Sequence, residues 1–415
     1  MLHLPTLLTQ VAVILLAARG TGWLLRRFHQ PQVVGEMIAG ILLGPSLLGF
    51  VAPGAASALF PEESLPYLAA LSQVGVVIFM FLMGLEVEPE LLRGRGRAAL
   101  MTSQAGILVP FVSGAVLGLF LYPRLAPEGV DRTHFVLFIG TAMSITAFPV
   151  LARILDERGL SRTGIGTMAI ASAAANDVAG WTILTVVVFL TRTQEVGISV
   201  AKALLGLITF AAVLLLLVRP LLQRMTDAFV RRGALSSDLM ALVLLLALGS
   251  AAASELVGVH ALFGAFVLGV LVPRRSDFAR ALVVKLQDLV VVLLLPIFFA
   301  LTGLKTRIGL LAGFEMWAYC ALVLSIAIAG KFGGVSAAAR FSGLPWREAC
   351  ALGALMNARG MVELVILNIG LEAGILSPPL FTMMVIMALV TTVITTPLLE
   401  WIHPSPAPVL TSKDA

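Results

Sequence analysis

Charged side chains are scarce in this chain: Asp, Glu, Lys and Arg make up 12% of its 415 residues, against about 25% in ordinary soluble domains. A water-soluble fold of this length would need far more polar surface, so that class is excluded. Cysteine is nearly absent. The two present, Cys320 and Cys350, stand in apolar runs, which leaves no disulfide framework and no thiolate metal site. The five histidines are scattered and form no ligand cluster, so no resident metal is expected. No GxGxxG motif follows a stretch that reads as a strand, so neither an attached nucleotide-binding domain nor a bound cofactor is expected. The N-terminal "MLHLPTLLTQVAVILLAARG" lacks a basic n-region. It reads as a first spanning helix and not as a cleaved signal peptide.

Apolar residues fill the place of the missing charge. They make up 59% of the chain, and the mean hydropathy is +1.01. Hydrophobic runs near 20 residues recur along the whole length, enough for each to cross a hydrocarbon core of about 30 Å. A transmembrane barrel would show alternating ten-residue segments instead. The fold class is therefore an all-α polytopic protein with the lipid bilayer as its surroundings. About thirteen transmembrane helices are predicted, at 5–25, 31–50, 66–85, 99–121, 133–154, 164–190, 197–218, 236–254, 258–273, 284–303, 312–338, 349–370 and 379–402. Residues 1–402 form one transmembrane domain, and 403–415 are a short tail.

The net charge of +5 follows from membrane topology and does not call for a nucleic-acid partner. With the N-terminus outside, the inner loops and tail hold nineteen Lys and Arg and the outer loops hold six. That asymmetry places the C-terminus in the cytoplasm. Three basic residues, Arg19, Lys331 and Arg359, lie within spans.

Two spans carry polar or helix-breaking residues at their centres. The fifth reads "FIGTAMSITAFPVLARIL", with Ser144, Thr146 and Pro149; the twelfth reads "LGALMNARGMVELVIL", with Asn357, Arg359 and Gly360. They are seven spans apart, an odd offset, so they cross the bilayer in opposite directions. Inverted repeats are arranged this way, with two broken helices crossing at the midplane.

A charge at the centre of a spanning helix costs on the order of 2.5–3.5 kcal/mol on insertion scales, which singles out Asp177 in "ASAAANDVAGW". Its bland role would be a packing hydrogen bond made with Asn176. The functional one is a titratable carboxylate in a wet cavity that holds either a proton or a small cation. The broken fifth span would supply hard oxygen ligands, and Thr146 is the candidate there; its bland role is to satisfy backbone freed by Pro149. Ser172 shares a helix face with Asn176 and reads as packing. Lys331 lies deep in the eleventh span and is expected to pair with an intramembrane acid. Arg359 and Glu363 stand four apart on one helix face. That pair reads as architecture holding the broken helix together, in preference to direct ion binding. Glu36 and Glu86, near inner ends of spans, read as cap or funnel residues.

Together, "QPQVVGEMIAGILLGPSLLG", "FMFLMGLEVE", "SITAFPVLARIL", "ANDVAGW", Lys331 and "MNARGMVEL" resemble the monovalent cation:proton antiporter 2 family. That family includes Kef-type and plant cation/proton exchanger-like proteins of the sodium/proton exchanger fold. The likeness runs from about residue 11 to 400, and six motifs in order make it specific. It implies a homodimer with interleaved dimerisation and core subdomains, the core moving like an elevator. It also implies that Asp177, the second residue of the pair, takes the ion, and that Thr146 and Lys331 match the family's broken-helix threonine and core lysine. Electrogenic members have two aspartates at the pair. Here the first is Asn176, which implies electroneutral exchange and leaves Lys331 to pair with Asp177.

The expected function is exchange of Na+ or K+ for H+ in a bacterial inner (plasma) membrane, with no covalent chemistry and so no enzyme activity. A gated K+ efflux channel, an organic-anion transporter on the same scaffold and a non-transporting sensor subunit are the alternatives.

Overall fold

A computed structural model describes residues 4–28, 30–86, 97–160, 163–192, 198–257, 260–273 and 277–402. Among these the chain is helical throughout, with no strand. Nine helical runs among them are long and apolar enough to cross a membrane. The other four positions of the sequence reading fall on two interrupted segments, on the 11-residue helix Ala261–Leu271 and on the helix Gly164–Arg192. Thirteen is thus the count read from the sequence, while nine runs are what length and hydropathy give among the described residues.

The chain divides into two compact units. The first comprises Met1–Trp23, Gly35–Glu90 and Trp181–Leu310. Its helices approach one another through small residues. A Cβ at Gly44 would stand 3.0 Å from the carbonyl carbon of Gly303, and one at Gly84 would stand 2.9 Å from the Cα of Gly269. Lipid tails are as apolar as Leu, so helices in a bilayer gain from close van der Waals packing, and small residues permit it. Around one such crossing Ile14, Phe60, Leu68, Ile297 and Ala300 form a buried cluster.

The second unit comprises Leu24–Val34, Leu91–Gly180 and Leu311–Ala415, and it holds both interrupted segments. The first of these starts where the Asp131 carboxylate accepts the main-chain N–H of Thr133 at 2.8 Å and of His134 at 3.2 Å. This N-cap satisfies donors that the first helical turn leaves over. The bond from His134 is the main reason that the Asp131 carboxyl is held below the usual carboxylate range. The helix Arg132–Ser144 then stops, Ile145 is extended, and a new helix runs Phe148–Glu157. Proline at 149 fits the interruption: it has no N–H to give back to Ile145 O, and it stands in the first turn of the new helix, where none is needed.

The second interrupted segment has no proline. Helix Trp346–Met356 ends at Asn357, Gly360 is extended at φ 175°, and a helix resumes over Met361–Glu372. Glycine fits at 360 because a Cβ there would stand 2.6 Å from Val150 Cγ2. The two interruptions meet backbone to backbone: Ala147 N–H donates to Ala358 O at 3.2 Å. Around them pack Leu151, Leu155, Ala173, Val335, Leu352 and Met356, all fully buried.

Candidate ion site where the two interrupted helices meet

A helix that stops inside a protein leaves its last four carbonyls without intrahelical partners and carries about half a negative charge at that end. The end of Arg132–Ser144 is met by two buried cations. Arg359 donates from one guanidinium nitrogen to Ala142 O at 3.3 Å and from another to Met143 O at 2.9 Å. Lys331 Nζ donates to Ser144 O, and to Gly106 O at 2.7 Å. Three successive carbonyls are thus covered by side chains that come from two other parts of the chain.

Local sequence explains how each cation gets there. Lys331 sits in a π-helical turn, Ala329–Gly333, between the helices Gly313–Ile328 and Gly334–Phe341. Gly330 in that turn lets the helix press against Pro110, whose Cα would lie 3.2 Å from an added Cβ. Arg359 projects from the second interruption and is fully buried, as is Glu363. One guanidinium nitrogen donates to Glu363 Oε1 at 2.8 Å. Glu363 lies in the first turn of Met361–Glu372, where a negative side chain faces the positive helix end.

Asn176 is buried, and its amide orientation follows from its neighbours. With nitrogen toward acceptors, Nδ2 donates to Ser103 O at 3.0 Å and to Ser172 O at 3.1 Å, while Oδ1 accepts from Thr146 Oγ1 at 3.3 Å. The opposite orientation would set Oδ1 against those two carbonyls. The Thr146 hydroxyl also stands 3.4 Å from Met356 O, at the end of the other half-helix. Thr146 therefore ties both interruptions to the turn of helix Gly164–Arg192 that bears Asn176 and Asp177. The side chain of Asp177, and with it the expected pairing with Lys331, lies outside the described residues.

The model of the family described as "Sodium/hydrogen exchanger, transmembrane" matches residues 12–402. The chain belongs to the sodium/hydrogen exchanger family. The exchanger is 44% identical over 402 residues to the Na(+)/H(+) antiporter NhaS4 of Synechocystis sp., a stretch that is 97% of this chain and 98% of that one. It is 38% identical to Cation/H(+) antiporter 17 of Arabidopsis thaliana, over 99% of its own length and 50% of the plant protein. With K(+)/H(+) antiporter 1 of Saccharomyces cerevisiae the identity is 34%, over 97% and 47%. The exchanger thus spans about half the length of these two eukaryotic relatives. Among solved structures, the antiporter MjNhaP1 from Methanocaldococcus jannaschii superposes with a TM-score of 0.63 over 96% of this chain and 97% of that one, at 14% identity. At that identity the likeness concerns the fold.

In the exchanger, the predicted residues Thr146, Asn176, Lys331, Arg359 and Glu363 all fall in the second unit, around the meeting interruptions. Ser172 serves Asn176 through its carbonyl, and its hydroxyl stands 3.4 Å from that of Thr102. Glu36 is 2% exposed in the first unit; the side chain of Glu86 lies outside the described residues. Sequence reasoning missed Ser103, Gly106 and Thr392. Gly106 is needed bare, since a Cβ would press on the Asn176 amide at 3.1 Å. The Thr392 hydroxyl accepts from Arg359 N–H at 3.1 Å and lies 2.6 Å from Arg359 O as a donor, so it pins the interruption from the last helix. The Thr pairs of "TTVITT", 391–396, spaced four apart and buried, were the available signal.

Proposed function

We propose that this exchanger is a secondary antiporter that moves Na+ or K+ one way and H+ the other, with Asp177 alternately protonated and cation-bound. The observation that carries this reading is the bond from Thr146 to Asn176. It brings the oxygen-rich interruption of one spanning segment to the helical turn that bears the intramembrane acid. Lys331 and Arg359 bring positive charge to the end of one half-helix beside that turn. Asn176 in place of a second acid favours one proton per cation. The unit that holds both interruptions would carry the ion, and the protein would work as a homodimer. It would sit in a bacterial inner membrane, and by the loop charges its N-terminus would be outside and its C-terminus in the cytoplasm. The cycle needs no covalent chemistry and no cofactor.

The test is a pH-jump assay in reconstituted vesicles, with Na+, K+, Li+ and Rb+ as counter-ions. Wild-type protein should give saturable, cation-dependent pH change. Asp177→Asn should abolish it while the protein stays folded, because an amide cannot bind and release a proton. Normal exchange by that variant would end the proposal, and non-saturable flux without counter-transport would mark a channel.

A further inference from the structure

The two half-helix ends are treated differently. The carbonyls of Ala142, Met143 and Ser144 take bonds from cations. At the end of Trp346–Met356, the carbonyls of Gly353, Ala354 and Leu355 take main-chain N–H bonds from Asn357 and Ala358, while Met356 O lies 3.4 Å from the Thr146 hydroxyl, whose one proton goes to Asn176 Oδ1. None of these donors is charged, so the negative end of this half-helix is left to attract a cation of another kind.

Asn357 stands at that end. It is 1% exposed, and neither Oδ1 nor Nδ2 has a hydrogen-bond partner among the described residues. Asparagine often ends a helix by adopting the left-handed conformation or by bonding nearby backbone. Here its backbone is right-handed, at φ −80° and ψ −8°, and its side chain makes neither kind of bond. Capping therefore does not explain the residue. Buried polar side chains in proteins are almost always bonded, and an amide with both atoms unmet is suited to a ligand that offers positive charge together with water or a carboxylate.

We propose that Asn357 is a ligand of the transported monovalent cation, with Oδ1 and the Met356 carbonyl as neutral oxygen donors and Nδ2 donating to a water of the ion's shell or to the carboxylate that takes the ion. The proposal rests on the antiporter reading above and adds a residue from the second interruption to it. Neutral oxygens replace part of an ion's hydration shell, and their number and spacing bear on the choice between Na+ and K+. Asn357 would accordingly set ion preference as well as affinity.

The experiment compares wild type, Asn357→Ala and Asn357→Gln in the vesicle assay, and in detergent by cation-dependent shifts of the melting temperature, which read binding without transport. Asn357→Ala should raise the half-saturating cation concentration about tenfold, equivalent to one good interaction, with the maximal rate little changed. The Na+ to K+ preference should move by threefold or more in both variants. Asn357→Ala with wild-type half-saturation and preference overturns the proposal. Should that variant fail to fold, Asn357→Gln decides, and an unchanged ion preference again overturns it. A wild-type protein that moves no protons would bring down the antiporter reading instead. The melting shifts then still decide on Asn357: cation stabilisation lost in Asn357→Ala supports the ligand role, and stabilisation equal to wild type refutes it.

Discussion

At the scale of single residues, Thr146 has the most to do for its size. Its one hydroxyl lies within bonding distance of the Asn176 amide at 3.3 Å and of Met356 O at 3.4 Å. Both contacts are long. Thr146→Ala should raise the half-saturating cation concentration roughly three- to tenfold, the range for losing one neutral hydrogen-bonding group. The maximal rate should fall less, since on the proposed reading Asp177 would still carry the ion. Thr146→Ser keeps the hydroxyl and should behave like wild type. If Thr146→Ala leaves affinity untouched and only lowers expression, the hydroxyl merely satisfies backbone freed by Pro149.

The element that distinguishes this fold is the half-helix Arg132–Ser144, whose end is held by Arg359 and Lys331 from outside its own segment. Arg359 and Glu363 are fully buried and bonded at 2.8 Å, and removing one member strands the other. Arg359→Leu should destabilise the protein by about 3–5 kcal/mol, the usual cost of breaking a buried pair from one side. It also strips the Ala142 and Met143 carbonyls of their donor. Glu363→Leu should cost less, since Arg359 keeps those two carbonyls. The double variant should recover part of the loss suffered by Arg359→Leu, because no buried charge is then left alone. Melting temperatures in detergent would show it. A double variant no more stable than Arg359→Leu would mean that the carbonyl cap, and not the ion pair, carries the stability.

For the whole molecule, the question is how much charge one cycle moves. Lys331 has backbone carbonyls of Gly106 and Ser144 as bonding partners, and the position before Asp177 is an amide. On the proposed reading, one turnover would exchange one cation for one proton with no net charge. Each net charge moved would couple to about 2.3 kcal/mol per 100 mV. A potential imposed with K+ and valinomycin should leave the end-point of Na+/H+ exchange unchanged. An end-point that shifts as expected for one charge would show that Lys331 or another group carries a second proton. Asn176→Asp, which restores a second acid, should make the end-point voltage-sensitive.

Residue chemistry by itself determined the class of fold, the places where spanning helices stop and the residues set apart by charge. Proline at 149 cannot continue a helix, the Asn357–Gly360 stretch interrupts an apolar run, and Asp177, Lys331, Arg359 and Glu363 are too costly in lipid to be incidental. These are local properties, and composition along the chain records them. The partners of those residues are a different matter. Lys331 bonds a carbonyl 225 positions away and Arg359 bonds one 216 positions away, and neither acceptor differs from any other peptide group in the sequence. Ser103, Gly106 and Thr392 look like ordinary small residues of spanning helices until the helices are packed. In a bilayer an apolar face suits lipid and protein equally well, so hydrophobic pattern tells which segments span but not which of them meet. Only the tertiary structure brought the two interruptions together, gave one of their ends its cations and left Asn357 at the other.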